Sequence, residues 1–157
     1  MLDSFDRKIL ETWQDRGDIG PVEMAQVVHL SASQCSRRMQ QLRKEGYLRA
    51  FRAVLDPAKV GIGISAYILL TMKSHAPEAA DAFRARIMDL GEVLECQKLT
   101  GAADMVLKVA THDLASFNRL LTRQILGSPE VATAQSSIIL DDVKSTTSLP
   151  LRFAGPA

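Results

Sequence analysis

Val22-Glu23-Met24-Ala25-Gln26-Val27-Val28-His29-Leu30-Ser31-Ala32-Ser33-Gln34-Cys35-Ser36-Arg37-Arg38-Met39-Gln40-Gln41-Leu42-Arg43-Lys44-Glu45-Gly46 is the stretch that decides how this chain is read. Residues 22–28 have helical apolar spacing and His29-Leu30-Ser31 interrupts it. Ser31 is a good N-cap, because its hydroxyl accepts from an exposed amide in the next turn. A second helix is predicted from about Ala32 to Glu45. At about 100° per residue, Cys35, Met39 and Leu42 form one inward stripe, while Ser33, Arg37, Gln40, Gln41 and Lys44 point nearly the opposite way. That outer face offers donors for base edges or phosphate oxygens and holds no carboxylate to repel a duplex. Arg38 lies at the border, placed to grip a phosphate or a neighbouring carboxylate rather than to read a base. Gly46 stops the helix as a left-handed residue.

Downstream, Tyr47 to Leu55 alternates well enough to predict two short strands, a wing that sets Arg49 and Arg52 beside the minor groove or backbone. From His29 to Arg52, six Lys or Arg stand against Glu45 alone. Neutralising several phosphates releases counterions, so binding should weaken steeply with salt. A polar helix face with scattered arginines also describes an ordinary solvated surface. The agreement of cap, glycine stop and basic hairpin favours nucleic acid. The residues expected to meet DNA are Ser31, Ser33, Gln34, Arg37, Arg38, Gln41, Lys44, Arg49 and Arg52.

Upstream, a first helix is predicted from Asp3 or Ser4. Asp3 caps it, Asp6 suits its positive end, Phe5, Ile9, Leu10 and Trp13 line one side, and Gly17 closes it. Residues 1–56 then read as a winged helix-turn-helix domain. Residues 57–63 read as a linker, since a proline and two glycines in 56–63 bound a change of composition. Beyond it, Ile64 to Met72 is a strand, Glu78 to Leu90 a helix with Phe83, Ile87 and Leu90 inward, Val93 to Leu99 and Met105 to Ala110 strands, Leu114 to Leu126 a helix, and Val131 to Leu140 a strand. The fold class is therefore α+β, with a ferredoxin-like β-α-β-β-α-β domain (ACT/RAM-like) expected over 64–157. Helices cover one face of such a sheet. The frequency of Ile, Leu and Val in the strands predicts that a second copy of the chain buries the other.

The chain has 157 residues, enough for two small domains, and 46% hydrophobic content is enough for real cores. A net charge of +1 argues against a protein that coats nucleic acid generally. The halves differ: residues 1–60 carry ten Lys or Arg against eight Asp or Glu, leaving nine against ten for the rest. Cys35 and Cys96 are isolated thiols without CxxC spacing, which fits a reduced cytoplasmic setting. Met1-Leu2-Asp3-Ser4 does not resemble a secretory leader, and no apolar run is long enough to span a bilayer, so no membrane partner is expected. His29, His75 and His112 lack metal-binding spacing, and Asp141-Asp142 is more simply a solvated strand end than a cation site. With no phosphate loop, nucleophile elbow or triad, neither cofactor, metal nor enzymatic activity is expected.

The order of these elements resembles the leucine-responsive and asparagine-operon regulator (Lrp/AsnC) family of prokaryotic transcription factors. The resemblance covers nearly the whole chain. It is carried by Leu2-Asp3, Asp6 and Ile9-Leu10, by Leu30-Ser31, Arg38, Leu42 and Gly46-Tyr47-Leu48, by Thr100-Gly101-Ala102-Ala103-Asp104, and by Asp142-Val143-Lys144. Two departures are His29, where the family usually has glycine, and Gly20, where it commonly has a Ser or Thr cap. His29 must therefore tolerate a turn geometry that glycine takes without strain. Gly20 followed by Pro21 is still a workable helix start.

The resemblance implies a nucleoid-associated regulator of double-stranded DNA, with a homodimer assembling to a tetramer or octamer. It also implies a small effector, usually an amino acid, in a cleft between subunits. It places effector contacts at Thr100, Gly101, Ala102, Ala103 and Asp104, with Leu114, Ser137, Ile138 and Ile139 also matching family positions that affect the response. The turn suits that role, since Gly101 admits a ligand to the backbone and Asp104 can face an ammonium group. A plain hairpin turn with a local hydrogen bond to Asp104 is the competing account of the same residues. An architectural DNA-bending protein without an effector is the competing account of the whole chain.

Overall fold

A computed structural model describes residues 2–153 and divides the chain into two compact units, the first running to Val54 and resuming at Lys144, the second spanning Leu55–Val143. In the first unit, α1 (Ser4–Asp15), α2 (Pro21–Val28) and α3 (Ala32–Lys44) enclose a core of Ile9, Leu10, Trp13, Ile19, Met24, Val28, Cys35, Met39 and Leu42. Each helix starts where its cap chemistry predicts. Asp3 and Asp6 form a reciprocal capping box on α1, Ser31 and Gln34 form another on α3, and Pro21 occupies the first turn of α2. His29 ends α2 in the left-handed region at φ 57°, and Gly46 follows α3 at φ 79°. Phe5 does not join the core. It stands 38% exposed with the Arg38 guanidinium 5.4 Å from its ring centre.

No strand forms between Tyr47 and Leu55, so the predicted wing is replaced by an irregular segment. The physical reason is that its apolar anchors are three residues apart rather than two. Leu48 packs on the helical core and Phe51 lies edge-on against Trp13 at 5.8 Å. Arg49-Ala50 also lacks a residue suited to the positive φ of a tight hairpin turn.

The second unit is a four-stranded antiparallel sheet in the order β2-β3-β1-β4, with β1 (Ile64–Met72), β2 (Val93–Lys98), β3 (Met105–Thr111) and β4 (Val131–Ile138). Its helices are α4 (Pro77–Met88) and α5 (Leu114–Arg119), the latter widening into a π-helical segment over Leu120–Ile125. This is the expected β-α-β-β-α-β unit. Ala66, Ile68, Leu70, Met105, Leu107 and Val109 share one face and pack with Phe83, Ile87, Phe117, Leu120 and Ile125. The strict period of two sends most of the strands' aliphatic residues to that face. By register the opposite face carries Tyr67, Leu69, Val106 and Lys108 with Glu95, Gln97, Thr133, Gln135 and Ser137, a mixed surface rather than the apolar one expected.

Two boundaries also differ from expectation. The 57–63 stretch packs on the second unit, where Gly63 N donates to Thr111 O at 3.0 Å and His112 Nδ1 lies 2.8 Å from Gly61 O. The second unit ends at Val143, not at the chain terminus. Beyond it Gln14 Nε2 donates to Leu149 O at 3.1 Å and Leu151 packs on the helical core, so the tail belongs with the first unit. Residues 154–157 of the predicted second domain lie outside the described residues. Among the described residues no helix is long and apolar enough to cross a membrane.

Candidate nucleic-acid surface and ligand cleft

The polar face of α3 stands in solvent as its angular spacing predicts. Ser33, Arg37, Gln40, Gln41 and Lys44 are all exposed, while Cys35, Met39 and Leu42 are buried on the other side. Burial pushes the Cys35 thiol above its ordinary value, as suits an inert core residue rather than a redox sensor. At the start of the helix Ser31 Oγ accepts from Gln34 N at 3.2 Å, and Gln34 Oε1 accepts from Ser31 N at 3.0 Å. Both side chains thus hold the helix end and offer DNA only their remaining capacity. Gln41 Nε2 donates to Glu45 Oε1, so its amide is engaged along the helix surface.

Arg38 is held by two carboxylates. Its Nη1 lies 2.6 Å from Asp6 Oδ1 and 2.7 Å from Asp3 Oδ2, which ties the middle of α3 to the start of α1. Of the two partners that its border position allowed, it takes the carboxylates. Arg49 and Arg52 are exposed on the irregular segment. A basic residue to which sequence reading gave no role is also engaged: the Arg43 guanidinium lies 5.2 Å from the Trp13 ring centre and 5.5 Å from that of Phe51. The three-residue spacing of Leu48 and Phe51 was the only signal of that arrangement.

The second unit holds a cleft of about 230 Å³ lined by Met72, Ser74, His75, Ala80, Lys98, Leu99, Asp104 and Met105. Asp104 is its fixed point. Its Oδ2 accepts from Met72 N at 2.7 Å, its backbone N–H donates to Leu70 O at 2.8 Å, and its Oδ1 lies 3.7 Å from His75 Nδ1. One carboxylate oxygen is therefore used by the fold, and the other faces the cleft with an imidazole beside it. Lys98 supplies a cationic group to the same lining. A carboxylate and an ammonium group in one small cleft are complementary to a zwitterion.

Of the other residues expected at the effector site, Thr100, Gly101 and Ala102 are exposed and Ala103 half-buried, and none of the four lines this cleft. Gly101 has φ 128°, a conformation open to glycine and rare for any L side chain. Leu114, Ser137, Ile138 and Ile139 are not brought to Asp104 within one chain. Ser137 pairs with Tyr67 and Ile138 with Ala66, whereas Asp104 bonds at Met72, five residues further along β1 from Tyr67 and roughly 17 Å away. Leu114 follows Asp113, whose side chain caps α5 by accepting from Ser116 N at 2.7 Å, beyond the β3 end that pairs with Ile64.

Comparison with known proteins places both units. Residues 2–43 match the family model of the AsnC-type helix-turn-helix domain, and residues 65–149 match that of the Lrp/AsnC ligand binding domain. A proline dehydrogenase transcriptional activator from Rhizobium radiobacter is 34% identical over 145 residues, covering 92% of this chain and 93% of that protein. The leucine-responsive regulatory protein of Escherichia coli (strain K12) is 28% identical over 151 residues, covering 96% and 92%. Among solved structures, a Neisseria meningitidis transcriptional regulator in complex with L-Met superposes with a TM-score of 0.94 at 37% identity, covering 98% of this chain and 99% of that one. An AsnC family transcriptional regulator from Agrobacterium tumefaciens superposes with a TM-score of 0.90 at 30% identity, covering 97% and 99%.

Proposed function

The chain belongs to the Lrp/AsnC family of DNA-binding transcription regulators, which are not enzymes, and from that premise we propose that it is a sequence-specific regulator whose DNA binding or assembly responds to an amino acid. The observation that carries the DNA half is the exposed face of α3, where Ser33, Arg37, Gln40, Gln41 and Lys44 project from a helix whose opposite side is buried. Arg37 is the residue proposed to read a base, since a planar guanidinium matches the O6 and N7 of guanine. Lys44, Arg49 and Arg52 serve the phosphates. A homodimer presents two such helices, so half-sites should lie about 10 base pairs apart, or a multiple of that spacing.

For the effector, Asp104 Oδ1 is proposed to take the ammonium group and Lys98 the carboxylate of an amino acid. The L-Met held by the Neisseria meningitidis regulator supports that ligand class. Leu114, Ser137, Ile138 and Ile139 belong to this site only if a second chain brings them there. The effectorless architectural reading draws on one observation, the bond from Met72 N to Asp104 Oδ2, which gives Asp104 a purely structural task.

Operator titrations test the first half. Arg37→Ala should cost about 1–3 kcal/mol on the matched site and little on a scrambled one. Equal losses on both sites would remove Arg37 from base reading. Calorimetry against a panel of amino acids, with and without operator, tests the second, because a ligand that alters DNA affinity must have its own affinity altered by DNA. Absence of any differential binding would favour the architectural reading.

A further inference from the structure

We propose that Arg43 and Phe51 are positioning residues for DNA binding: a stack of Trp13, Arg43 and Phe51 holds the segment after α3 in the place a wing would have held it. The inference rests on the proposed phosphate role of Arg49 and Arg52. The segment 47–55 has no strand to order it, and eight of its nine side chains are exposed. A free segment of that kind would lose the benefit of its two cations to the entropy of ordering them.

Phe51 removes much of that cost. Its ring meets Trp13 of α1 edge-on at 5.8 Å and 77° between planes, and the guanidinium of Arg43, in the last turn of α3, lies 5.5 Å from it and 5.2 Å from the Trp13 ring. A third wall is Gly17, where a Cβ would approach Phe51 Cδ1 to 2.9 Å, so the ring occupies the room a side chain at 17 would need. Phe51 is adjacent to Arg52 and two residues from Arg49. With about 3.8 Å between successive Cα atoms, anchoring residue 51 fixes both arginines to within about 8 Å of the anchor. Arg43 is thereby distinguished from the other cations of the region. Its planar face is spent between two rings, a task that lysine, with a compact ammonium on a flexible stem, performs poorly.

The test is the slope of log affinity against log salt for one operator, since each phosphate contact contributes about 0.9 to it. Arg49→Ala/Arg52→Ala sets the reference and should lower the slope by about 1.8. Phe51→Ala and Arg43→Lys should each bring the slope most of the way to that reference, although neither removes a charge, and Phe51→Tyr should restore it. Phe51 is 44% exposed, so its truncation opens no core cavity. Emission from Trp13, the chain's single tryptophan, reports both an intact fold and the loss of the neighbouring ring.

Retention of the wild-type slope by Phe51→Ala or by Arg43→Lys overturns the proposal while leaving the two arginines as phosphate ligands. A wild-type slope for Arg49→Ala/Arg52→Ala overturns both. Loss on Arg43→Ala with none on Arg43→Lys shows that Arg43 acts by charge alone, which also rejects the stack as the device.

Discussion

Arg38→Ala separates a structural clamp from a DNA contact. The guanidinium bonds Asp6 at 2.6 Å and Asp3 at 2.7 Å, with Arg38, Asp6 and Asp3 side chains 26%, 17% and 41% exposed. A fully exposed pair contributes about 0.2–1 kcal/mol, and the better-shielded Asp6 bond belongs nearer the charge-assisted range of about 1.5 kcal/mol. Discounting the wetter Asp3 bond to about 0.5 kcal/mol and adding a similar amount for the Phe5 ring gives a total of about 2–2.5 kcal/mol. Urea is the right denaturant, since guanidinium salt would screen the pair, and Trp13 in the core of the first unit is the probe. With a slope of about 1–1.5 kcal/mol per molar for so small a unit, the midpoint should fall by about 1.3–2.5 M. A cycle with Asp6→Asn should return a coupling of about 1 kcal/mol, and the salt slope of operator binding should not change. Coupling within the additivity error of about 0.3–0.5 kcal/mol, or a slope lowered by about 0.9, would refute the clamp.

His29 holds φ 57°; that conformation costs an L residue about 1–2 kcal/mol and glycine's extra unfolded freedom returns about 0.5–1, so His29→Gly should stabilise the first unit by about 0.5 kcal/mol in the same urea titration. Asp104→Ala should lower the second unit's stability by about 1–2 kcal/mol by stripping the Met72 N–H of its acceptor, followed by circular dichroism. Asp104→Asn keeps an acceptor and removes the charge, so it should leave stability near wild type and abolish amino-acid binding in calorimetry; retained binding would reduce Asp104 to a turn residue. Asp3 is held below its ordinary carboxyl value of 3.8, because burial, which raises it, is outweighed by the Asp6 N–H and the Arg38 guanidinium. A depressed value means that its contribution is present above 3.8 and is lost as pH falls below it. Asp3→Asn, which retains a cap, should therefore flatten the loss of first-unit stability below about pH 4.

What could be read before any coordinates was what depends on neighbours in sequence. The caps at Asp3 and Ser31, the stop at Gly46 and the buried stripe Cys35, Met39, Leu42 are all set by contacts within a few residues, and a 3.6-residue period exposes them. The element order followed because the strands and helices alternate at lengths that a β-α-β-β-α-β unit requires. The wing failed for the opposite reason. Leu48 and Phe51 are claimed by α1 and α3, more than thirty residues away in the case of Trp13, and a long-range contact overrode a local alternation. Arg43 was invisible for the same cause, since nothing near it in sequence marks Trp13 and Phe51 as its neighbours. The mixed composition of the open sheet face was not legible, because counting Ile, Leu and Val in a strand does not say which face they take. The period of two gave most of them to the helices.

The residues proposed for the effector lie too far apart to meet within a single chain. On the proposed reading, the charged anchor Asp104 sits beside Leu70 and Met72, while Ser137 and Ile138 sit beside Tyr67 and Ala66. No rotamer change spans roughly 17 Å of strand, so both groups cannot touch one small amino acid from the same protomer. The two ends of the sheet can act together only when another copy sets its Ser137 end beside this chain's Asp104 end, or when one end senses assembly and the other senses ligand. On that proposed reading ligand occupancy and subunit association are thermodynamically linked, and an amino acid bound at Asp104 would alter DNA binding by changing which assemblies present paired α3 helices.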